Sequence, residues 1–306
     1  MITASVIVPA RKGETALPRA LASIEAAAKG LEVETIVVED VDGRGASWAR
    51  NRGLERATGE VIFFCDADDT VREGFFRLPL ARLEETGADM CIFPAAGEPR
   101  RRAYDLTGQE EVRAALLPAF FGLSFDDVRR WNAGGDLLAR RELGSVCWVA
   151  TRREALERAG VRFDETMRIY EDAAFLAELA LHLRRVVSLD EPLYDYARNP
   201  CGTSATVTGG RRHWDYKFRL LEFRKRLAAQ DPSVWRHCEG SVALSAVEML
   251  RLRKTAGLGF GEFWRGLRDY VGDPSVRAAL RAMPLSWRHP LVATAVRLLR
   301  GLRSGR

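Results

Sequence analysis

Four short apolar runs mark the first third of the chain: residues 3–9 (TASVIVP), 33–39 (VETIVVE), 60–65 (EVIFFC) and 88–93 (ADMCIF). Each is rich in β-branched or aromatic residues and ends at a proline, an acidic residue or a glycine-containing loop, which predicts strands. Between the first two runs, Leu17, Ala20, Leu21, Ile24 and Ala28 recur at helical spacing, with Pro18 in a first turn where proline is tolerated. Trp48 to Ala57 predicts a second helix. Strands alternating with helices predict an α/β fold with a mainly parallel central sheet flanked by helices on both faces. Farther along, 143–150 (LGSVCWVA) and 186–196 (VVSLDEPLYDY) read as strands, with helices over Arg152–Gly160 and Glu171–Leu183 between them. After about residue 210 the pattern is almost wholly helical, punctuated by Gly257, Gly259, Gly261, Pro274 and Pro284.

Charge divides along the same line. Residues 207–306 hold 20 Lys+Arg against 8 Asp+Glu, whereas residues 1–206 hold 27 against 34. An acidic body followed by a basic helical region is the expectation, and such a region suits peripheral contact with an anionic membrane. Leu291, Val292, Ala295, Val296, Leu298, Leu299 and Leu302 project onto one broad arc of the last segment, a face that can dock on the protein or on lipid. The N-terminus MITASVIVPARKGE carries no basic leader, and no run of about 18 apolar residues occurs, so the expected location is cytoplasmic or at the inner face of the cell membrane. Among the five cysteines, Cys65, Cys91 and Cys147 sit inside apolar runs and read as reduced, buried thiols. His182, His213, His237 and His289 show no zinc-ligand spacing, no GxGxxG follows the first strand, and no basic-aromatic pattern for nucleic acid is present.

Chemistry concentrates after the third apolar run. Asp66, Asp68 and Asp69 place three carboxylates within four residues. A pair of like charges at 4 Å costs roughly 4 kcal/mol at an effective dielectric near 20, so a compensating cation is expected. Oxygen ligands without companion His or Cys suit Mg²⁺ or Mn²⁺, which also bind substrate phosphates. In α/β sheets ligands lie beyond the carboxyl ends of strands, and the loops there are Pro9 to Glu14, Glu39 to Arg44 and Asp66 to Asp69.

The ordered set SVIVPA, VVED, ASWARNRGLERATGEVIFFCDADD, FDETMRIYEDAAF and EPLYDYARNPCGTSA, spanning about residues 3–206, resembles family 2 glycosyltransferases of the GT-A fold. It is most similar to the bacterial capsule, exopolysaccharide and cell-wall type. The resemblance implies a GT-A domain over 1–206, with a nucleotide-binding half 1–96 and an acceptor half 97–206, and a basic helical region over 207–306. It implies that Pro9, Ala10 and Glu14 cradle base and ribose and that Asp40 accepts from the uracil imide. Arg44 and Arg50 would lie near base or diphosphate, Asp66 and Ala67 at the donor's ribose, and Asp68 on the metal. Asp172, 104 residues beyond Asp68, matches the family's catalytic base. Trp148, Glu171, Tyr196 and Arg198 would meet acceptor or diphosphate. The sequence departs from the family at Ala10-Arg11-Lys12, at Val41-Asp42 and at Trp148-Val149-Ala150, where relatives commonly carry Tyr-Asn, Gly-Ser and Trp-x-Lys.

The implied activity is inverting, metal-dependent transfer of a sugar from a nucleotide-diphosphate donor, with UDP as the expected carrier, to a hydroxyl of a glycan or lipid-linked acceptor in surface polysaccharide synthesis. Two other readings stand beside it. VIFFCDADDTV also fits the DxDxT pattern of haloacid-dehalogenase-like phosphatases, with Asp66 as nucleophile and Asp68 as general acid. The second is a sugar-nucleotide or polyanion binding module without turnover.

Overall fold

The computed structural model describes residues 3–97, 103–121, 129, 133, 145–197, 211–253, 255–283 and 290–301. The chain divides into two compact units, residues 1–116 with 143–199 and residues 117–142 with 200–306.

The first unit is built on a seven-stranded sheet. Its strands are β1 (Ala4–Arg11), β2 (Val33–Asp40), β3 (Val61–Phe64), β5 (Met90–Ile92), β6 (Asp105–Thr107), β7 (Val149–Arg152) and β8 (Arg185–Ser188), and β4 (Thr70–Val71) pairs separately with β9 (Tyr194–Asp195). The order across the sheet is β2-β1-β3-β7-β5-β8-β6. β1 pairs in parallel with β2 and β3, and β5 with β8, while β7 lies antiparallel between β3 and β5 and β6 lies antiparallel on β8. Five strands therefore run one way and two the other, as the mainly parallel expectation requires. The core strands are uniformly buried, with Val6, Ile7, Phe63 and Met90 fully enclosed, as a sheet covered on both faces demands.

Helices α1 (Leu17–Ala27), α2 (Ala46–Arg56) and α3 (Arg77–Thr86) fill the crossovers, followed by α4 (Gln109–Phe121), α5 (Arg153–Ala159) and α6 (Glu171–Ala180). α2 approaches β1 closely enough that a Cβ on Gly53 would fall 2.3 Å from a methyl of Ile7. Phe63, Phe75, Phe76 and Phe93 interlock with centroid separations of 4.9–5.5 Å, mostly edge to face, which is the favoured aromatic geometry.

Two boundaries differ from the expectation. The run 143–150 does not begin as a strand where it is described: Val146–Trp148 form a 3-10 turn, capped by the Ser145 hydroxyl on the Cys147 N–H, and β7 starts only at Val149. The run 186–196 splits into β8 and β9 because Pro192 cannot donate to a ladder. The edge strand β6, with the charged Asp105 and polar Thr107 flanking Leu106, lacks the apolar signal of the others.

The second unit is helical: α7 (Arg211–Gln230), α8 (Trp235–Leu252), α9 (Phe260–Gly272), α10 (Pro274–Ala282) and α11 (Pro290–Gly301). Trp214, Val242, Phe263, Leu267, Tyr270 and Leu280 form the centre of its core, with Trp214 5.2 Å from Phe263. In α11, Leu299 is buried and Leu298 exposed, so the apolar arc is only partly covered. Among the described residues, no helix is long and apolar enough to cross a membrane. Cys65, Cys91, Cys147 and Cys238 are free and buried, and burial pushes the Cys91 thiol up to about 12 and that of Cys238 to about 11.

A short turn with Gly59 buried in it connects α2 to β3. Gly59 donates its N–H to Ser5 Oγ at 2.8 Å and to Glu34 Oε1 at 3.1 Å, and a Cβ there would lie 2.4 Å from the backbone carbon of Ala4. Because backbone must move to admit it, Gly59→Ala is expected to destabilise the protein by about 1–3 kcal/mol, the usual cost of overpacking. A lowered denaturant midpoint checks this; an unchanged midpoint would show that β1 and the 57–60 turn separate without cost.

Candidate active site

The parallel direction of β1, β2 and β3 brings the loops after them to one edge of the sheet. β1 runs on past the end of β3: its pairing with β3 stops at Ile7, while that with β2 continues to Arg11. Pro9, half-buried, thus occupies a stretch of β1 free of a β3 partner, where its missing N–H costs nothing on that side. Ala10 beside it is buried, and Glu14 turns back to accept the Ala16 N–H at 3.2 Å. Glu39 accepts the Gly13 N–H at 3.2 Å, which ties the first loop to the end of β2.

Asp40 closes the second loop onto the start of α2. Its two oxygens accept the N–H groups of Arg44 at 2.8 Å and Gly45 at 2.6 Å. Burial works to raise its pKa, but those N–H groups and the nearby Arg168 charge prevail and hold it below the ordinary carboxylate range. The exposed Arg44 lies over the Trp48 ring at 5.1 Å.

The next turn of α2 carries the residue that organises the site. Arg50 is 3% exposed, and its Nη2 lies 2.8 Å from Asp66 Oδ1 just beyond β3, while its Nη1 lies 2.7 Å from Asp172 Oδ1 and 3.6 Å from Glu171 Oε1. The guanidinium also covers the Phe163 ring at 5.4 Å. Phe163 stacks on Phe175 at 4.0 Å, an apolar floor beneath the charges. Asn51, the neighbour of Arg50, is buried and pairs like a strand with Phe163, accepting its N–H at 2.9 Å and donating to its carbonyl at 3.0 Å. Sequence reading passed over Asn51; its only signal is a polar residue following Arg50 inside an otherwise helical motif.

Asp172 sits in the first turn of α6. Its second oxygen accepts the Val146 N–H at 3.2 Å, so the 3-10 turn that replaces the expected strand start serves as its anchor. Burial is the main force on this carboxyl and raises its pKa; Arg50 opposes the shift, and the like charges of Glu171 and Asp66 add to it. The net direction is upward. Tyr170, immediately before, holds a left-handed φ of 63°, the only positive φ of a non-glycine residue among those described.

The acidic loop divides its labour. Asp69 is buried, accepting from the Tyr194 hydroxyl at 2.5 Å and from the Ala197 N–H at 2.7 Å, and the same hydroxyl accepts the Asp66 N–H at 3.1 Å. Burial pushes Asp69 up to about 7 against these hydrogen bonds. Ala67 is buried between its neighbours. Asp68 is half-exposed; Arg19 binds its backbone carbonyl at 2.6 Å, and its carboxylate makes no hydrogen bond or ion pair among the described residues. The carboxylates of Asp66, Glu171 and Asp172 share one guanidinium, and Asp68 adds a further negative charge nearby in sequence. That excess suits a divalent cation, and an unengaged oxygen donor at Asp68 suits a metal that takes one or two carboxylates and completes its shell from water and phosphate. Among the described residues, no three His, Cys, Asp or Glu side chains gather into a protein-only metal cage.

The structure thus joins Arg50, Asp66, Glu171 and Asp172 directly, with Ala67, Asp68 and Asp69 in the adjoining loop. Trp148 ends the turn that anchors Asp172, and Tyr196 lies exposed beside the Ala197 contact to Asp69. Arg198 lies outside the described residues.

Residues 41–109 match the family described as Glycosyl transferase family 2. The chain is 31% identical over 166 residues to an uncharacterized glycosyltransferase, EpsJ, of Bacillus subtilis, covering 54% of this chain and 45% of EpsJ. It is 28% identical over 193 residues to the minor teichoic acid biosynthesis protein GgaB of the same organism, covering 63% of this chain and 20% of GgaB. The chain therefore spans less than half the length of either relative. Its fold is similar to that of S. aureus TarS residues 1–349, with a TM-score of 0.59 at 16% identity, covering 98% of this chain and 90% of that one. TarS has also been solved in complex with UDP-GlcNAc, a structure that matches with a TM-score of 0.51. Over residues 41–109 the chain is thus similar to glycosyltransferase family 2, it shares part of its length with EpsJ and GgaB, and its fold is similar to that of TarS.

Proposed function

We propose that this protein transfers a sugar from a nucleoside-diphosphate donor, with UDP as the carrier, to a hydroxyl group of a glycan or lipid-linked acceptor, in a single inverting displacement. The observation that carries the reading is the bridging of Asp66 and Asp172 by one buried guanidinium, which gathers the acidic loop and a carboxyl of raised pKa into one site. The complex of TarS with UDP-GlcNAc and the name of GgaB support a nucleotide-sugar donor and a surface-polymer acceptor.

In this mechanism the acceptor oxygen attacks the anomeric carbon as the bond from that carbon to the diphosphate oxygen breaks, so configuration inverts. The acceptor proton would pass to Asp172, for which placement beside the attacking oxygen counts for more than resting basicity. Arg50 and the Val146 N–H keep the carboxylate oriented. Asp68 is the residue that would hold Mg²⁺ or Mn²⁺, and the ion would supply charge neutralisation for the departing nucleoside diphosphate. The loops holding Pro9, Ala10, Glu14 and Asp40 lie at the sheet edge where base and ribose would rest.

The phosphatase alternative is disfavoured because Asp66, its required nucleophile, follows the third strand and is held by Arg50, which lowers its electron donation. A binding module without turnover has no use for a carboxyl poised beside the acidic loop. We further propose that the basic residues of 207–306 mediate peripheral contact with an anionic membrane. Co-sedimentation with phosphatidylglycerol vesicles, weakened by salt and absent with phosphatidylcholine, is the expected result; equal binding to both lipids would refute it.

Release of UDP from a panel of UDP-sugars with Mn²⁺ and candidate polyol acceptors tests the reaction. Asp172→Asn is expected to reduce turnover by about 10²-fold or more while UDP affinity stays within a few-fold. Since the base form is lost as pH falls through a raised pKa, the acidic limb of kcat/KM should lie well above the ordinary carboxylate value of about 4, towards neutrality. A limb near 4, or undiminished turnover by Asp172→Asn, removes Asp172 from the role of base. Asp68→Ala should weaken Mn²⁺-dependent UDP binding by roughly 10–100-fold, the loss typical of damage to a metal site. Calorimetry giving equal affinity for both proteins would remove the metal from Asp68.

A further inference from the structure

Both terminal nitrogens of Arg50 are engaged by carboxylates, and its Nε is buried without a partner. One arm of its guanidinium holds Asp66, the other holds Asp172 with Glu171 beside it, and its face rests on Phe163. At 3% exposure it has no free fork to offer a diphosphate. Turning towards one would strip two carboxylates of their partner in a partly buried site, a costly rearrangement. From α2, Arg50 ties the end of β3, which carries Asp66, to the start of α6, which carries Glu171 and Asp172, so a single cation sets the spacing between them. The groups facing Asp172 are Arg50, Glu171, Asp66, the buried thiol of Cys147 and the Val146 N–H.

We propose that Arg50 is a positioning residue for the transfer reaction: it holds the acceptor-side base Asp172 at a fixed distance from the donor-side carboxylate Asp66, and it does not bind the diphosphate. The proposal rests on the transferase reading for its purpose, and on the ion-pair geometry for its content.

The test uses the full chain with Arg50→Lys, Arg50→Met, Asp172→Asn and the double variant Arg50→Met with Asp172→Asn. The first measurement is thermal melting without ligand, which requires no activity. Orphaning a buried carboxylate by Arg50→Met should lower the melting temperature by roughly 5–15 °C. Adding Asp172→Asn should then recover part of that loss, because the unpaired charge is gone. Unchanged melting in Arg50→Met, or a double variant no more stable than Arg50→Met, overturns the proposal. If Arg50→Met fails to fold, soluble expression of the double variant is the corresponding recovery, and its failure the corresponding refutation.

The second measurement separates positioning from binding. Arg50→Lys keeps a charge but loses the two-armed fork, so kcat for UDP release should fall by about 10²-fold while affinity for UDP with Mn²⁺ stays within about threefold. A loss of UDP affinity of about 30-fold or more with kcat preserved at saturation would make Arg50 a diphosphate ligand and overturn the proposal. Wild-type protein that releases UDP from no donor tested would refute the transferase reading, while the melting comparison still decides whether Arg50 holds Asp172.

Discussion

One guanidinium shared by three carboxylates is the constraint around which the first unit is arranged. Burying Arg50 to 3% exposure strips its charge of water, which only close anions can replace. Those anions must arrive from different parts of the chain, so the ion pairs stand only when β3, α2 and α6 are all in place. Asn51 strengthens the condition, since its amide completes the backbone pairing of Phe163 and locks the segment before α6 against α2. Phe163 then serves twice, stacked on Phe175 and lying under the guanidinium. An apolar floor excludes water from one side of the ion pairs and strengthens them, yet it also raises the cost of any carboxyl left partly compensated.

That cost explains the unequal roles of neighbouring aspartates. Asp69, which is buried, is satisfied by a phenol and a peptide N–H, which recruits it as a structural brace between the acidic loop and β9. Tyr194 reaches both Asp69 and the Asp66 N–H, so one hydroxyl fixes the loop's curvature. Asp68 is left with its carboxylate free and its backbone tied down by Arg19. The metal role proposed for Asp68 rests on that combination, a fixed main chain and an unencumbered oxygen.

Much of this was legible in the residues, for physical reasons that also mark where legibility ends. Apolar runs such as SVIVP and VIFF announce strands because both faces of the sheet are covered, and three carboxylates in four residues announce a site because repulsion must be answered. The insertion of β7 between β3 and β5 was not legible, since strand order is set by pairing across some ninety residues and leaves no local pattern. The 3-10 turn at Val146–Trp148 hides in the same apolar composition as the strand that follows it. β6 is a short edge strand whose charged ends read as loop. For Arg50 the ambiguity is chemical: carboxylate and diphosphate present similar oxygen pairs to a guanidinium, and its ion pair with Asp172 spans 122 positions with no local pattern to announce it. Asn51 and Tyr194 belong to the same class, polar residues whose partners lie over a hundred positions away.

The left-handed backbone at Tyr170 completes the account of how Asp172 is placed. A non-glycine residue in that region carries a penalty of about 1–2 kcal/mol, and it persists only where surrounding contacts over-determine it. Here the contacts are visible on both sides: the Tyr170 carbonyl receives the first helical N–H, from Ala174 at 2.9 Å, and two residues on Asp172 is gripped by Arg50 and Val146. A relaxed conformation at Tyr170 would rotate the first turn of α6 and carry Glu171 and Asp172 away from the guanidinium. The strain and the ion pairs therefore depend on each other. The left-handed backbone at Tyr170 aims the carboxylates at Arg50, and the attraction of Arg50 holds that conformation in place.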